Sequence, residues 1–260
     1  GGVPVYNHAR AGTGPFLEMR RFLSVKRFVP MPKVVVWNIS ARELGAPLFL
    51  RQPVVSWFSN PSFSFQGSAA TSSGIQWSSF TPSSLGTAWP NTSLMAYLGR
   101  RGWSKVKLAV FQEWPSDVFG ADDPQFGPML FYGENLRVLP LLTPEVDAPA
   151  VIQTVVRVAE GFRELGMELV VLLVPEKEQV HIQALPPGQQ IRLAKGPELL
   201  QAIEQGLTSH DVPVVNLLPV FQRETASGNR LFWRDDTHWN DEGIHLAAKE
   251  IWRTVEPLLE

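Results

Sequence analysis

The chain has 260 residues and a mass of 29.0 kDa, which is long enough for one large domain with a core that excludes water. Its 23 Lys and Arg residues nearly balance its 25 Asp and Glu residues, and the net charge of -2 excludes the basic surface of a general nucleic-acid binder. The absence of cysteine excludes disulfides, thiolate nucleophiles and Cys-type metal centres, and no apolar run reaches the length of about 18 residues that a membrane span needs.

The first zone, residues 3–50, predicts a loop, a helix and a strand. The chain begins Gly-Gly-Val-Pro, without an initiator Met or a signal sequence, so we expect that the natural protein starts further upstream. Gly12 and Gly14 mark a turn, and Pro15 suits the first position of a helix that extends to Leu23. Residues 33–37, rich in β-branched side chains, predict a buried strand.

Residues 51–123 form a second zone that is rich in Ser, Gly, Thr, Pro and aromatic residues and poor in charge. Regularly placed aromatic residues argue against a disordered linker, because such linkers have few groups to bury. We therefore predict an aromatic and Ser-rich insertion that packs on the main sheet. Its aromatic side chains either fill a small core of their own or contact a substrate.

The third zone, residues 124–260, alternates helix and strand. The apolar spacing predicts helices over 148–165, 198–207 and 242–258 and strands over 168–174 and 212–217, with Gly166 ending the first helix. This alternation is typical of a parallel α/β sheet that helices cover on both faces. The chain is thus expected to be a single α/β domain that carries the insertion.

Polar residues that follow the buried strands are the first candidates for a site, because ligands bind beyond the carboxyl ends of parallel strands. Residues 38–43, 176–181 and 234–240 have this position. In the last segment, Asp236 precedes His238 by two residues and can accept the ring N–H, as a general base that serves a serine hydroxyl requires. The alternative is that Asp235 or Asp241 caps the next helix and that His238 is a structural hydrogen-bonding residue.

Residues 236–243 are the most specific motif of the chain. They read Asp-Thr-His-Trp-Asn-Asp-Glu-Gly and resemble the D-x-H-W-x-x-x-G element of the alginate O-acetyltransferase type of SGNH hydrolase-like domain. Residues 174–181 resemble the P-x-K-x-x-V-Y element of that family, with His181 in place of the usual Tyr.

Three further segments resemble the same family and occur in a consistent order. Residues 130–132 resemble its L-F-Y segment, and residues 33–42 resemble its P-K-x-V-V-W-E-x-x-x-R element, with Asn38 in place of the acid. Residues 5–15 resemble the segment that follows the nucleophile. Together the matches span most of the chain outside the insertion.

The resemblance implies a three-layer flavodoxin-like SGNH hydrolase fold and a Ser-His-Asp mechanism. His238 would be the base and Asp236 its orienting carboxylate, although Asp235 is a rival because the broader SGNH class uses D-x-x-H. The Gly12 amide would contribute to an oxyanion hole. The remaining residues expected to bind or orient substrate at the same cleft are Asn7, Arg42, Lys177 and Trp239. For the two cations among them, the alternative is a surface salt bridge.

No G-D-S or G-T-S element with the nucleophilic serine occurs in the sequence. In the broader SGNH class this serine precedes the block that residues 7–14 resemble, so we expect it upstream of Gly1. In the alginate enzymes the D-x-H element precedes the serine, so the order here is closer to that of the broader class. The alternative is a domain that has lost its nucleophile.

The predicted function is that of an O-acyltransferase or O-acetylesterase that acts on an exported polysaccharide in the bacterial periplasm or at the cell envelope. Its expected partners are the polysaccharide, an acyl donor and membrane-bound export or acyl-transfer proteins. The histidines lack metal-ligand spacing and no nucleotide motif occurs, so no metal and no cofactor are expected. The alternative function is a non-catalytic polysaccharide-binding module on a degenerate SGNH fold, in which Trp239 and the indoles of the insertion stack on sugar rings.

Overall fold

The computed structural model describes residues 5, 7, 14–24, 32–50 and 118–260. The chain divides into two compact units, of which one comprises Gly1–Phe65 with Gly120–Glu260 and the other Gln66–Phe119. Most of the predicted insertion, residues 51–117, lies outside the described residues. Its packing and the single-domain organisation therefore stay predictions.

Before residue 51, the predicted helix and strand occur in the predicted order, and they are followed by a 3-10 turn and a second helix that were not predicted from the sequence. Helix α1 is Gly14–Ser24, strand β1 is Val34–Ser40, a 3-10 turn is Ala41–Glu43 and helix α2 is Ala46–Leu50. In α1 the Phe16 ring packs edge-on against Trp37 of β1 and Phe49 of α2. These aromatic contacts hold α1 and α2 close to β1.

A two-stranded hairpin follows, formed by β2, Val118–Asp123, and β3, Gly127–Tyr132. Asp123 Oδ1 accepts hydrogen bonds from the backbone N–H groups of Gln125 and Phe126, at 2.9 and 3.0 Å. Gly127 takes a positive φ of 72°, which favours glycine and lets the chain enter β3. The Asp123 carboxylate therefore stabilises the turn by accepting hydrogen bonds from backbone groups two and three residues later in the chain.

The rest of the chain alternates helices and strands from Gly133 onward. The elements are α3 Gly133–Val138, α4 Pro144–Glu164, β4 Glu168–Val174, α5 Lys177–Val180, α6 Pro187–Leu193, α7 Gly196–Thr208, β5 Val214–Asn216, α8 Leu217–Ala226 and α9 Asp241–Leu259. Short 3-10 turns occupy Leu139–Leu141 and Ile182–Ala184.

The main sheet has the strand order β1-β4-β5, and both pairings are parallel. Ile39 lies opposite Leu173, and Leu172 lies opposite Val215. Five consecutive residues of β4, Leu169 to Leu173, are buried, which requires cover on both faces of the sheet. The parallel α/β sheet predicted from the sequence is confirmed.

Helices supply that cover in two groups. Helix α4 packs against α2, α7 and β4, whereas α8 and α9 pack on each other and on β4. Because β4 is buried on both sides, the two groups and the sheet form the three layers expected from the resemblance. Within the residues that the structure describes, no helix combines the length and the apolarity needed to cross a membrane.

Two element boundaries differ from the predicted ones for identifiable reasons. Helix α4 begins at Pro144, four residues early, because the Asp147 carboxylate accepts the backbone N–H groups of Thr143 and Ala46, both at 2.6 Å. Strand β5 ends at Asn216, one residue early, because Asn216 caps α8, its Oδ1 accepting the Leu218 N–H at 3.1 Å.

Candidate active site

A narrow loop before α9 carries the candidate catalytic residues. Its two sides pair through an antiparallel bridge between Phe232 and Trp239. The Trp233 N–H donates to the His238 carbonyl at 3.1 Å, and the Asn240 N–H donates to the Leu231 carbonyl at 3.0 Å. We call residues 231–240 the dyad loop, because its tip holds Asp236 and its returning side holds His238.

The structure brings His238 and Asp236 into direct contact. His238 Nδ1 lies 2.5 Å from Asp236 Oδ1, and the His238 backbone N–H donates to the same oxygen at 3.0 Å. The ring hydrogen bond, helped by the backbone one, lowers the pKa of Asp236, so this carboxylate stays ionised. With Nδ1–H donated to a carboxylate, the neutral ring has its lone pair on Nε2, where a general base needs it.

The pair lies at the surface of the described structure. The His238 side chain is 82% exposed and that of Asp236 is 52% exposed. A reacting group can therefore reach the imidazole without any rearrangement of the fold. The contact follows from the two-residue spacing, while the catalytic role of the pair stays a prediction.

The two alternatives for the neighbouring carboxylates are resolved by their contacts. In the described part of the chain, the His238 ring is hydrogen-bonded to Asp236 and not to Asp235. The cap of α9 is Asn240 rather than Asp235 or Asp241. Its Oδ1 accepts the Gly243 N–H at 3.0 Å and its Nδ2 donates to the Arg230 carbonyl at 2.6 Å.

Lys177 is buried in the described structure, so the prediction that it lies in a cleft and contacts substrate is wrong. The side chain is fully buried beneath the dyad loop, where β4 ends and α5 begins. Its Nζ donates to the carbonyls of Leu130, Trp233, Arg234 and Asp236, at 2.8, 2.6, 3.1 and 3.0 Å. Burial lowers the pKa of Lys177 to about 8. The surface salt bridge considered as the alternative is excluded by the same burial.

Strand β3 is the second support of the dyad loop. The Leu130 N–H donates to the Arg234 carbonyl at 2.7 Å, and the Leu130 carbonyl accepts from Lys177. The Arg234 guanidinium also donates through Nε to the Pro128 carbonyl at 3.1 Å. The loop is thus attached to a strand that lies about a hundred residues earlier in the chain.

Two buried carboxylates lie beside Lys177, and they were predicted from the sequence only as members of the candidate segment 176–181. Asn135 Nδ2 donates to both Glu176 Oε2 and Glu178 Oε2, each at 2.9 Å. Burial raises the pKa of Glu178, although the Tyr132 N–H also donates to its carboxylate at 2.8 Å. The pattern Glu-Lys-Glu directly after a buried strand was the available signal, because charged residues there must find partners.

Arg42 lies at the end of β1, next to the same cluster. Its Nε is 3.7 Å from Glu176 Oε1, and its side chain is 41% exposed. The Ser40 hydroxyl donates to the same carboxylate. Arg42 is therefore ion-paired on one side and open to solvent on the other, which leaves its predicted contact with substrate as a prediction.

A second imidazole–carboxylate pair is buried. His181 Nδ1 lies 2.9 Å from Asp123 Oδ2, and the rings of Phe126 and Phe232 pack edge-on against the imidazole. Burial lowers the pKa of His181, and its Nε2 has no hydrogen-bond partner in the described structure. This pair holds the β2–β3 hairpin against α5 and is closed to a substrate.

The other predicted site residues lie in different surroundings. Trp239 is half-buried, and its indole packs on Phe221 of α8 with ring centroids 5.2 Å apart. Phe221 therefore covers part of the indole. Asn7 is exposed, and Gly12 lies outside the described residues, so the shared cleft and the oxyanion hole stay predictions. Among the described side chains, no group of three or more histidines and carboxylates has the arrangement of a metal site.

Three curated relatives are similar to part of this chain. The chain is 25% identical to the probable alginate O-acetylase AlgJ of Pseudomonas fluorescens over 164 residues, which cover 61% of this chain and 38% of that protein. The AlgJ proteins of Azotobacter vinelandii and Pseudomonas putida are also 25% identical, over 62% and 61% of this chain. The matched region thus spans about two fifths of the length of these relatives. No solved structure matches the chain.

A family model also matches the chain, over the region that contains the dyad loop. It is described as the SGNH hydrolase-like domain of acetyltransferase AlgX and covers residues 130–259, half of the chain. This region includes β4, Lys177, the dyad loop and α9, whose arrangement is described above. The chain therefore belongs to the SGNH hydrolase-like domain family of acetyltransferase AlgX.

Proposed function

We propose that the protein is an SGNH-class O-acetyltransferase or O-acetylesterase that acts on a polysaccharide, with His238 as its general base. The observation that carries this proposal is the contact between His238 Nδ1 and Asp236 Oδ1, 2.5 Å long, on a ring that is 82% exposed. Lys177, three residues after the end of β4, binds the dyad loop, so the pair lies at the carboxyl edge of the sheet.

The proposed reaction has two acyl-transfer steps. A serine hydroxyl gives its proton to His238 Nε2 while its oxygen attacks the acetyl carbonyl of the donor. Collapse of the tetrahedral intermediate returns that proton to the leaving oxygen and leaves an acetyl-enzyme. A sugar hydroxyl then repeats the attack in a transferase, or water does so in an esterase. Throughout, the Asp236 carboxylate stabilises the imidazolium.

On the basis of the motif order of the broader SGNH class, we place the serine in a block that precedes residues 5–15 in the full-length protein. The order of the alginate enzymes would place it after the D-x-H element instead. In the part of the chain that the structure describes, no serine hydroxyl is hydrogen-bonded to the His238 ring. The proposal therefore requires that the full-length protein, rather than the present chain, be assayed.

The acetyl group and the polysaccharide are supported by the names of the relatives, which are probable alginate O-acetylases. By this analogy, we propose an exported polysaccharide as the acceptor, an acyl donor delivered by a membrane-bound partner, and the periplasm or cell envelope as the place of action. Acidic groups on such a polymer would suit Arg42, whose guanidinium is partly exposed near the site edge.

Trp233 supports a sugar ligand independently of those names. In the antiparallel pairing it lies opposite His238, so both side chains project from the same face of the dyad loop. Trp233 is 45% exposed, and an exposed aromatic side chain beside the imidazole can stack on a sugar ring. The same observation favours the second candidate, a binding module without catalysis.

Turnover of an acetyl ester by the full-length protein tests the proposal. We expect His238→Ala to lower kcat for p-nitrophenyl acetate by at least about a thousandfold, since members of a catalytic unit fail together. His245→Ala, at an exposed position of α9, is the matched control and should leave kcat within about twofold of the wild type.

Two results would contradict the enzymatic proposal. One is unchanged turnover in His238→Ala. The other is a full-length protein that binds acetylated oligosaccharides, loses that binding in Trp233→Ala and hydrolyses or transfers no acetyl group. The second result would favour the non-catalytic binding module.

A further inference from the structure

Lys177 is a buried cation whose partners are carbonyl groups rather than carboxylates. Its side chain is 0% exposed, and among the described residues it forms no salt bridge. Four backbone carbonyls surround the ammonium nitrogen at 2.6–3.1 Å. A Lys ammonium has three N–H donors, so these four carbonyls saturate it.

Three of the four carbonyls belong to the dyad loop. They are those of Trp233, Arg234 and Asp236, and the fourth is that of Leu130 in β3. Carbonyl dipoles that converge on one point repel one another unless a positive charge stands between them. The curved path of the loop tip therefore depends on the charge of Lys177.

We propose that Lys177 is a positioning residue that fixes the dyad loop and so aims the exposed His238–Asp236 pair. The ammonium reaches the loop from below, on the side opposite to solvent, and leaves the imidazole accessible. The catalytic part of this inference rests on the proposed function, while the structural part does not.

The charge state that this role needs is available at neutral pH. Although burial lowers the pKa of Lys177 to about 8, the nearby Glu178, Asp235 and Asp236 oppose that decrease and Arg230 adds to it. The residue is therefore mainly an ammonium at pH 7. An Arg guanidinium would not replace the ammonium. Its N–H donors are spread over a planar fork, whereas the four carbonyls converge on a single nitrogen.

Hydrogen exchange in the full-length Lys177→Met variant tests the structural part. The backbone N–H groups of Leu130, Trp233 and Asn240 close the dyad loop, and we expect them to exchange at least about tenfold faster than in the wild type. The N–H of Val171, which donates to Pro213 inside the sheet, should keep its wild-type rate. Lys249→Met, at an exposed position of α9, is the control and should change neither set.

Two outcomes of this measurement would overturn the inference. Wild-type exchange in the dyad loop would show that the loop does not need the ammonium, and equal acceleration at Val171 would show a general role in the fold. If Lys177→Met does not fold, Lys177→Arg takes its place. It keeps the charge but not the convergent geometry, so the dyad-loop amides should still exchange faster, and unchanged rates would again overturn the inference.

Acetyl-ester kinetics test the catalytic part. Lys177→Met should lower kcat about a hundredfold and change KM less than about threefold, because a small misplacement of the base affects the chemical step. The Lys177→Met, His238→Ala double variant should be no slower than His238→Ala alone, since Lys177 acts through the dyad. A double variant that is a further hundredfold slower would refute that route. If His238→Ala alone has wild-type activity, the proposed function fails, while the exchange measurement still decides the role of Lys177.

Discussion

Gly243 is the position where one added methyl group should disturb the site most directly. It lies buried in the first turn of α9, three residues after the helix cap. A Cβ at this position would overlap the Leu231 carbonyl oxygen and stand 3.1 Å from Trp239 Cβ. Since the obstacle is backbone rather than a mobile side chain, the helix start and the dyad loop must move apart in Gly243→Ala.

The magnitude follows from opposing contributions. Overpacking against rigid atoms costs about 1–3 kcal/mol. A weakened Asn240 cap adds about 1 kcal/mol, and the better helix propensity of alanine offsets about 1 kcal/mol. The net loss in the free energy of unfolding is thus about 2 kcal/mol, which lowers Tm by about 4–8 °C in a domain of this size.

Thermal and urea unfolding measure this loss, with Gly188→Ala as the matched control. Gly188 is exposed in α6, and a Cβ there meets no atom within 4 Å, so the control should gain about 0.5–1 kcal/mol. If Gly243→Ala is as stable as the wild type, the close approach of α9 to Leu231 is not rigid and the reasoning fails.

Three further predictions concern the polar groups around the site. Asp236→Asn in the full-length protein should lower kcat for an acetyl ester about a thousandfold or more, and Asp235→Asn should stay within about threefold; equal losses would leave the orienting carboxylate unassigned. Asn135→Ala removes the donor that two buried carboxylates share and should cost about 3 kcal/mol in urea unfolding, against about 0.5 kcal/mol for Asn229→Ala at an exposed site. Burial lowers the pKa of His181, so the unfolded chain binds a proton at this residue more tightly than the folded protein does. The free energy of unfolding should therefore fall as pH drops below about 6.5, by at most about 1.4 kcal/mol per pH unit. The profile of His181→Gln should be flatter, and parallel profiles would contradict the role of His181 in this pH dependence.

The layers of the fold were predictable because their signals are local. The apolar run of β4 and the helical spacing before Gly166 each lie within one element, and the structure places both where the sequence predicts them. The Asp236–His238 contact is equally local, since two residues separate its partners. Helix starts that depend on a side chain were harder to predict from the sequence, as the start of α4 at Pro144 shows. The Asp147 carboxylate that stabilises this start also binds the backbone N–H of Ala46, about a hundred residues away.

The supports of the site were not predictable from residue type and spacing. Lys177 follows a strand at the carboxyl edge of the sheet. A cation at that position can bind a ligand or donate hydrogen bonds to the backbone of another segment, and its sequence position does not distinguish the two. Which of the two it meets depends on how β3 and the dyad loop come together above it. Asn135 gave no signal at all, because a single amide in a short helix is common, and its two carboxylate partners lie 41 and 43 residues later.

The separation in sequence between the partners of each contact has a consequence for the order in which the site assembles during folding. The carboxylate and the imidazole are two residues apart, so their turn can close on the time scale of the shortest loops, well under a microsecond. The bonds of Lys177 join residues 47 to 59 positions apart and require β3 and β4 to be in place. The geometry within the pair is thus available early, whereas its direction relative to the sheet is set only when the last long-range contacts form. A local opening of the folded protein would reverse that order and release the pair from the sheet with its own hydrogen bond intact.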